Sequence, residues 1–167
     1  MSLKLVSKDI TKMEVDAIVN AANKTLLGGG GVDGAIHRAA GPKLLEETRT
    51  LNGCEVGEAK ITDAYNLPAK YVIHTVGPIW EGGASNEKSL LENAYRNSLK
   101  IAKERDIQTI AFPLLSAGAY GYPKEDAIKV GILIIENFLK DNDMEVFLVL
   151  HGQETYELAK TIEKEIL

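Results

Sequence analysis

Gly28-Gly-Gly-Gly-Val-Asp-Gly-Ala-Ile-His-Arg-Ala-Ala-Gly41 follows Asn20-Ala-Ala-Asn23 after only Lys24-Thr-Leu-Leu27. Four consecutive glycines lose much backbone entropy on folding. A globular chain tolerates such a run where its backbone must bend sharply or press against a ligand. Directly after it, Val32, Ala35, Ile36, Ala39 and Ala40 recur at helical spacing. A glycine-rich turn that feeds a helix gathers free N–H groups and the positive helix end at one point, which suits a phosphate. Ahead of it, the apolar Ala17–Asn20 reads as a buried strand.

The pattern occurs a second time. Gln108–Phe112 reads as a short buried strand, and Pro113-Leu-Leu-Ser-Ala-Gly-Ala-Tyr-Gly-Tyr-Pro123 leads into another helical pattern. Ser116, Gly118 and Gly121 offer a hydroxyl and unhindered amides, and Pro123 suits the first turn of a helix. Two strand–loop–helix units ending in anion-friendly loops grip a ligand with adjacent phosphates from both sides.

The remaining chain alternates in the same way. Strands are expected over Leu3–Ser7, Glu58–Tyr65, Tyr71–Val76 and Val146–Leu150. Helices are expected over Pro42–Thr48, Ser85–Arg105 and Pro123–Lys140, with a last one burying Leu158, Ala159, Ile162 and Ile166. On the Pro123–Lys140 helix, Gly131 is expected to permit close approach to the sheet. Alternating strands and helices indicate an α/β domain.

Composition narrows the partners. The chain has 167 residues, 45% of them hydrophobic, enough for one domain with one core. The net charge is −5 and no basic run stands out, which argues against nucleic acid. No apolar stretch suits a bilayer span. Met1-Ser-Leu-Lys passes at once into strand-like Leu5-Val6, so no leader is expected. The single cysteine, Cys54, permits no internal disulfide, which fits a cytoplasmic location. It lies in a loop without a neighbouring histidine and reads as incidental.

Asp9-Ile-Thr, Val15-Asp-Ala-Ile-Val-Asn-Ala-Ala-Asn23, Gly28–Gly41 and Ser116-Ala-Gly-Ala-Tyr-Gly-Tyr-Pro123, in this order, closely resemble the macrodomain family. Within it the chain is most similar to the hydrolytic branch, which removes ADP-ribose from proteins and deacetylates O-acetyl-ADP-ribose. The resemblance implies a single macrodomain over residues 1–167, with a mixed six-stranded sheet between helices and ADP-ribose in a cleft at the strand ends. It implies an ester hydrolase that uses neither metal nor cofactor. Its partners would be ADP-ribose, its esters and ADP-ribosylated proteins.

The family's site residues carry over position by position. Asp33 matches the aspartate that orients or activates the attacking water. From spacing alone, Asp33 reads as a helix N-terminal acid complementing the dipole. Asn23 matches the asparagine that hydrogen-bonds the distal ribose, a role suited to a group that both donates and accepts. Asp9 would accept from the adenine amino group while the Ile10 amide contacts the ring. Gly30, Gly31 and Val32 of the first loop, and Ser116, Ala117, Gly118 and Ala119 of the second, would line the diphosphate. Tyr120 would pack on the distal ribose. His151 stands where the family often has an aromatic that stacks on adenine. Lys8, Ala117 and Gly152 depart from the family's usual glycine, threonine and aspartate.

Other features read as structural. Asn20 is expected to be a turn former, His37 a packed neighbour of the site, and His74 a strand residue. The three histidines lack metal-ligand spacing. Gly29–Gly34 fits G-x-G-x-x-G, but Ala21–Leu27 separates it from the strand end that a dinucleotide fingerprint requires. Neither loop carries Gly-Lys-Ser/Thr. Two rival functions share these motifs: a non-catalytic ADP-ribose reader, and an ADP-ribose-1''-phosphate phosphatase.

Overall fold

A computed structural model describes residues 2–167. Six strands form one sheet: β1 (Ser2–Val6), β2 (Ala17–Ala21), β3 (Ala59–Asp63), β4 (Tyr71–Thr75), β5 (Thr109–Pro113) and β6 (Glu145–Val149). Their order is β1-β6-β5-β2-β4-β3. All neighbours pair in parallel except the edge strand β3, which runs antiparallel to β4. The helices are α1 (Gly31–Ala40), α2 (Pro42–Arg49), α3 (Glu87–Glu104), α4 (Lys124–Leu139) and α5 (Gln153–Ile166).

Both faces of the sheet are covered. Ala17, Val19, Ile110, Phe112, Val146 and Leu148 point to the α3/α4/α5 side, where Leu91, Tyr95, Leu99, Ile128 and Ile135 meet them. The alternate residues Ile18, Val72, Ala111 and Val149 point to the other side, against Ile36 and Ala40 of α1 and Leu44 of α2. Burial on two faces explains why the central strands read as continuous apolar runs rather than as alternation. The mixed sheet between helices is the architecture expected from the sequence.

Element ends differ from the sequence reading where a local conformation intervenes. Strand β3 stops at Asp63, and Tyr65 two residues on has φ 53°. Helix α3 begins at Glu87 because Asn86 before it is left-handed, φ 65°. Pro123 is the cap residue of α4 and lies just outside its first turn. Gly131 does permit a close approach, but to α3 and not to the sheet. A Cβ there would lie 3.0 Å from the Tyr95 hydroxyl. Among the described residues, no helix is long and apolar enough to cross a membrane.

Candidate functional site

Parallel strands end on the same side, so the segments that leave their carboxyl ends share one edge of the sheet. Along that edge stand Asp9 after β1, His151 after β6, the Ser116–Tyr120 loop after β5 and the Asn20–Gly30 segment with β2. Gly77 and Pro78 follow β4. At about 4.8 Å between strands, β1 to β4 spans roughly 19 Å. That row accommodates an elongated ligand laid across the strand ends. The chain also reverses direction of growth around β2, whose neighbours β5 and β4 lie on opposite sides. Such a switch point leaves a crevice at the carboxyl ends.

The first glycine loop is fastened before it reaches the crevice. Leu26 is buried among Ala22, Cys54 and Val76 and takes a left-handed φ of 59°. Cys54 thus packs under the loop, and its N–H donates to Lys24 O at 2.9 Å. Asn23 Oδ1 accepts from the Thr25 N–H at 3.1 Å and the Thr25 hydroxyl at 2.6 Å, while its Nδ2 donates to Gly28 O at 3.0 Å. A Cβ on Gly29 would lie 3.1 Å from Asp33 Oδ2 and 3.3 Å from Asn23 Nδ2. The amide and the carboxylate therefore converge on Gly29.

Helix α1 starts here with Gly30 as a cap that carries no side-chain acceptor. Its first-turn amides, which include those of Gly31 and Val32, are left for a ligand. Gly30 and Gly31 have no atom within 4 Å of a Cβ position, so open space adjoins them. Gly34 is the opposite case: a Cβ there would sit 2.5 Å from Gly29 O. The helix rests directly on its own loop.

Behind Asp33 lies a buried polar chain. Asp33 is 4% exposed, and its Oδ1 accepts from Asn20 Nδ2 at 2.9 Å. His37 Nε2 lies 3.4 Å from the same oxygen. Asn20 Nδ2 also meets His74 Nδ1 at 3.1 Å, and His74 Nε2 meets Thr62 Oγ1 at 2.9 Å. Asn20 and His74 are fully buried. Burial pushes the His74 pKa down to about 3, with the charge of His37 adding to it. His74 is the β4 residue expected, but Asn20 lies within β2 and not in a turn, and its amide links His74 to Asp33.

The second loop is closed on itself by Gly121 N–H to Gly118 O and Tyr122 N–H to Ser116 O, both 3.0 Å. Ser116 is left-handed, φ 66°, and its hydroxyl donates to Pro78 O at 2.8 Å. The hydroxyl hydrogen is therefore spent on the Pro78 carbonyl. Gly118 borders open space. Half-buried Tyr120 gives its carbonyl to the Trp80 N–H at 2.8 Å, and the Trp80 ring packs on Tyr122 with centroids 4.8 Å apart. Gly77 faces Ser116 so closely that no side chain fits.

Trp80 belongs to a loop held by one carboxylate. Glu87 is 1% exposed. Its Oε2 accepts from the Glu81 and Gly83 N–H groups, both at 2.9 Å, and its Oε1 from the Ser85 N–H at 2.7 Å. Burial works to raise its pKa, but these backbone hydrogen bonds outweigh it and hold the group at about 2.

At the far end, Asp9 Oδ1 accepts from the Thr11 N–H at 3.0 Å and the Thr11 hydroxyl at 2.7 Å, capping a 3-10 turn over Ile10–Lys12. Buried Ile10 anchors that turn. The Thr11 hydrogen bonds hold the Asp9 carboxyl below its usual range, and the charges of Lys12 and His151 add to the effect. Asp9 lines an open hollow of about 500 Å³ with Lys12, Met13, Val15 and Phe147. Phe147, Trp80, Glu87 and Thr62 escaped the sequence reading. Phe147 had a signal, as an aromatic on the strand that ends at His151. The others had none, because their partners are distant in sequence or are backbone amides.

A family model described as Macro domain matches residues 19–131. A macro domain-containing protein of Methanosarcina mazei is 55% identical, with 99% of this chain and 89% of the relative covered. The ADP-ribose glycohydrolase MACROD2 of Homo sapiens is 57% identical over 86% of this chain and 34% of the relative. Among solved structures, the Oceanobacillus iheyensis macrodomain with ADP has a TM-score of 0.95 at 42% identity, covering 98% of this chain and 90% of that one. The Trypanosoma brucei macrodomain in complex with ADP-ribose has a TM-score of 0.88 at 41% identity, covering 95% and 68%.

Proposed function

The chain belongs to the Macro domain family, and from that premise we propose that it binds ADP-ribose and hydrolyses ADP-ribosyl esters. Its substrates are mono-ADP-ribosylated aspartyl or glutamyl side chains, O-acetyl-ADP-ribose, or both. The observation that carries this reading is the convergence of Asn23 Nδ2 and Asp33 Oδ2 on Gly29, beside the uncapped start of α1. The resemblance to the glycohydrolase MACROD2 and to macrodomains holding ADP or ADP-ribose supports it.

In this mechanism the α1 amides and the Gly118 loop hold the diphosphate. The adenine end lies at Asp9, Ile10 and His151. Asn23 and Tyr120 fix the distal ribose. Asp33 Oδ2 holds a water and takes up its proton. Attack on the anomeric carbon breaks its bond to the carboxylate, which leaves as the anion. Attack on the acyl carbon instead expels the ribose oxygen, to which Asp33 returns the proton. Orientation and fixed dipoles supply most of the rate.

Asp33→Asn tests the assignment, because the asparagine oxygen still accepts from Asn20. Its ADP-ribose affinity by calorimetry is expected within a few-fold of native. Single-turnover release of ADP-ribose from a glutamyl-linked protein is expected to fall by roughly 10²–10⁴, the span of one acid–base group. Native protein that binds ADP-ribose but turns over neither ester leaves a reader. Equal rates in native and Asp33→Asn move the water-holding role elsewhere.

A further inference from the structure

The protons of the buried chain behind Asp33 are placed by elimination. A carboxylate only accepts, so the Asn20 atom at 2.9 Å from Asp33 Oδ1 is its amide nitrogen. The same nitrogen faces His74 Nδ1 at 3.1 Å. Its second hydrogen goes there, so Nδ1 accepts and His74 carries its proton on Nε2. That N–H requires an acceptor, and Thr62 Oγ1 at 2.9 Å is one because its own hydrogen goes to Asp63 O at 3.0 Å. Each link admits one proton arrangement.

The arrangement leaves a trace. With both amide hydrogens of Asn20 spent, its Oδ1 is buried and has no partner among the described residues. Such an orphaned acceptor is costly and calls for a reason. Turning the amide over would give Oδ1 a donor only by setting an oxygen against the Asp33 carboxylate. The fold keeps the orphan and keeps the carboxylate oriented.

We propose that Thr62 and His74 are positioning residues for hydrolysis: they fix the Asn20 amide, which in turn aims Asp33 Oδ2 at the bound ester. The proposal rests on the reading of Asp33 given above. Neither residue touches the substrate. Thr62 lies on β3, His74 on β4 and Asn20 on β2, so three adjacent strands set the aim of a helix residue. Without the Thr62 acceptor, a proton on His74 Nε2 is buried without its partner, and the Asn20 hydrogen bond to Nδ1 alone favours that tautomer. A proton on Nδ1 would face the Asn20 N–H and turn the amide away from Asp33.

Thr62→Val preserves shape at a buried site and removes the acceptor, while Thr62→Ser keeps the hydroxyl. Thr62→Val is expected to lower kcat on a glutamyl-linked ADP-ribosyl protein by about 10- to 100-fold, the span seen when the partner behind a functional ligand is removed. Its ADP-ribose affinity by calorimetry should stay within about threefold, since the loss falls on kcat and not on binding. Thr62→Ser should restore most of the rate. Nitrogen-15 spectra of the imidazoles, with the His74 signal assigned by its loss in His74→Gln, should show native His74 protonated on Nε2 and altered in Thr62→Val. A native Nδ1-H tautomer, an unchanged kcat per folded molecule in Thr62→Val, or failure of Thr62→Ser to restore the rate would overturn it. If native protein releases nothing from either ester, the enzyme reading falls separately. The spectra then decide the chain: an Nε2-H signal that moves in Asp33→Asn and Thr62→Val supports it, and an unmoved one overturns it.

Discussion

At the scale of single residues, the site depends on where a side chain is missing as much as on where one stands. Gly29 and Gly118 make opposite predictions. A methyl at Gly29 presses on Asp33 Oδ2 and Asn23 Nδ2, both ends of short side chains. Gly29→Ala is expected to leave thermal stability nearly unchanged and to slow ester hydrolysis by about tenfold or more, because a small misplacement of reacting groups is enough. A Cβ at Gly118 meets no described atom within 4 Å, and Gly118 has no left-handed φ to strain a side chain in Gly118→Val. That variant should fold normally and lose ADP-ribose affinity, read by calorimetry, because its side chain would occupy the space proposed for the diphosphate. A Gly118→Val protein that binds as native does would remove that loop from the phosphate site. The glycine loop running into α1 was legible because loop and helix are contiguous there, whereas spacing alone makes Asp33 a helix N-terminal acid and only the family resemblance implied its role. The Thr62–His74–Asn20 chain was not, because its members lie 12 and 54 residues apart and meet only through strand pairing.

At the scale of elements, the loop before α3 shows how a buried carboxylate can replace secondary structure. Three backbone N–H groups in residues 81–85 have Glu87 as their acceptor. The loop in turn carries Trp80 to the Tyr120 carbonyl. Glutamine at position 87 would turn an NH₂ toward at least one of those N–H groups, so Glu87→Gln should loosen the loop. Acid should do the same. A carboxyl whose pKa is depressed in the folded state stabilises fully above its ordinary value of 4.5 and loses that contribution as pH falls through about 2. Trp80 is the only tryptophan, so its fluorescence reports the loop. The native emission is expected to change between about pH 4.5 and pH 2, and Glu87→Gln should already show the altered emission at neutral pH. Identical emission in the two proteins at neutral pH would refute the clamp. Sequence reading placed the helix start near this loop but could not see its acceptor, since a glutamate at a helix start reads as ordinary dipole compensation.

At the scale of the whole molecule, the strand order decides what the ligand can be. The alternation of strands and helices was readable, and so was burial on both faces. The order was not, because β1 pairs with β6 across nearly the full chain, Leu3 beside Val146. No local pattern encodes that neighbour. Yet this pairing brings His151 near enough to Asp9 to add to the lowering of the Asp9 carboxyl. It also puts both at one end of a row whose other end is Asn23 and Asp33. A ligand that fills the row binds only the folded chain, so it stabilises by mass action. ADP-ribose at 100 times its Kd should add about 2.7 kcal/mol, which for a chain of this size raises Tm by about 5–11 °C. The two ends should contribute differently. Asp9→Ala removes a carboxylate whose Oδ1 is taken by Thr11 and whose Oδ2 remains for an adenine amino group. It should weaken ADP-ribose by about tenfold or more, the range for a hydrogen bond to a charged group, and leave kcat at saturation nearly intact. GDP-ribose presents a carbonyl where adenine presents the amino group, so it should bind native protein weakly and gain relative to ADP-ribose in Asp9→Ala. Calorimetry with both nucleotides on both proteins makes the comparison. Equal affinity of native protein for the two would mean that the row is read only from its phosphate and ribose end.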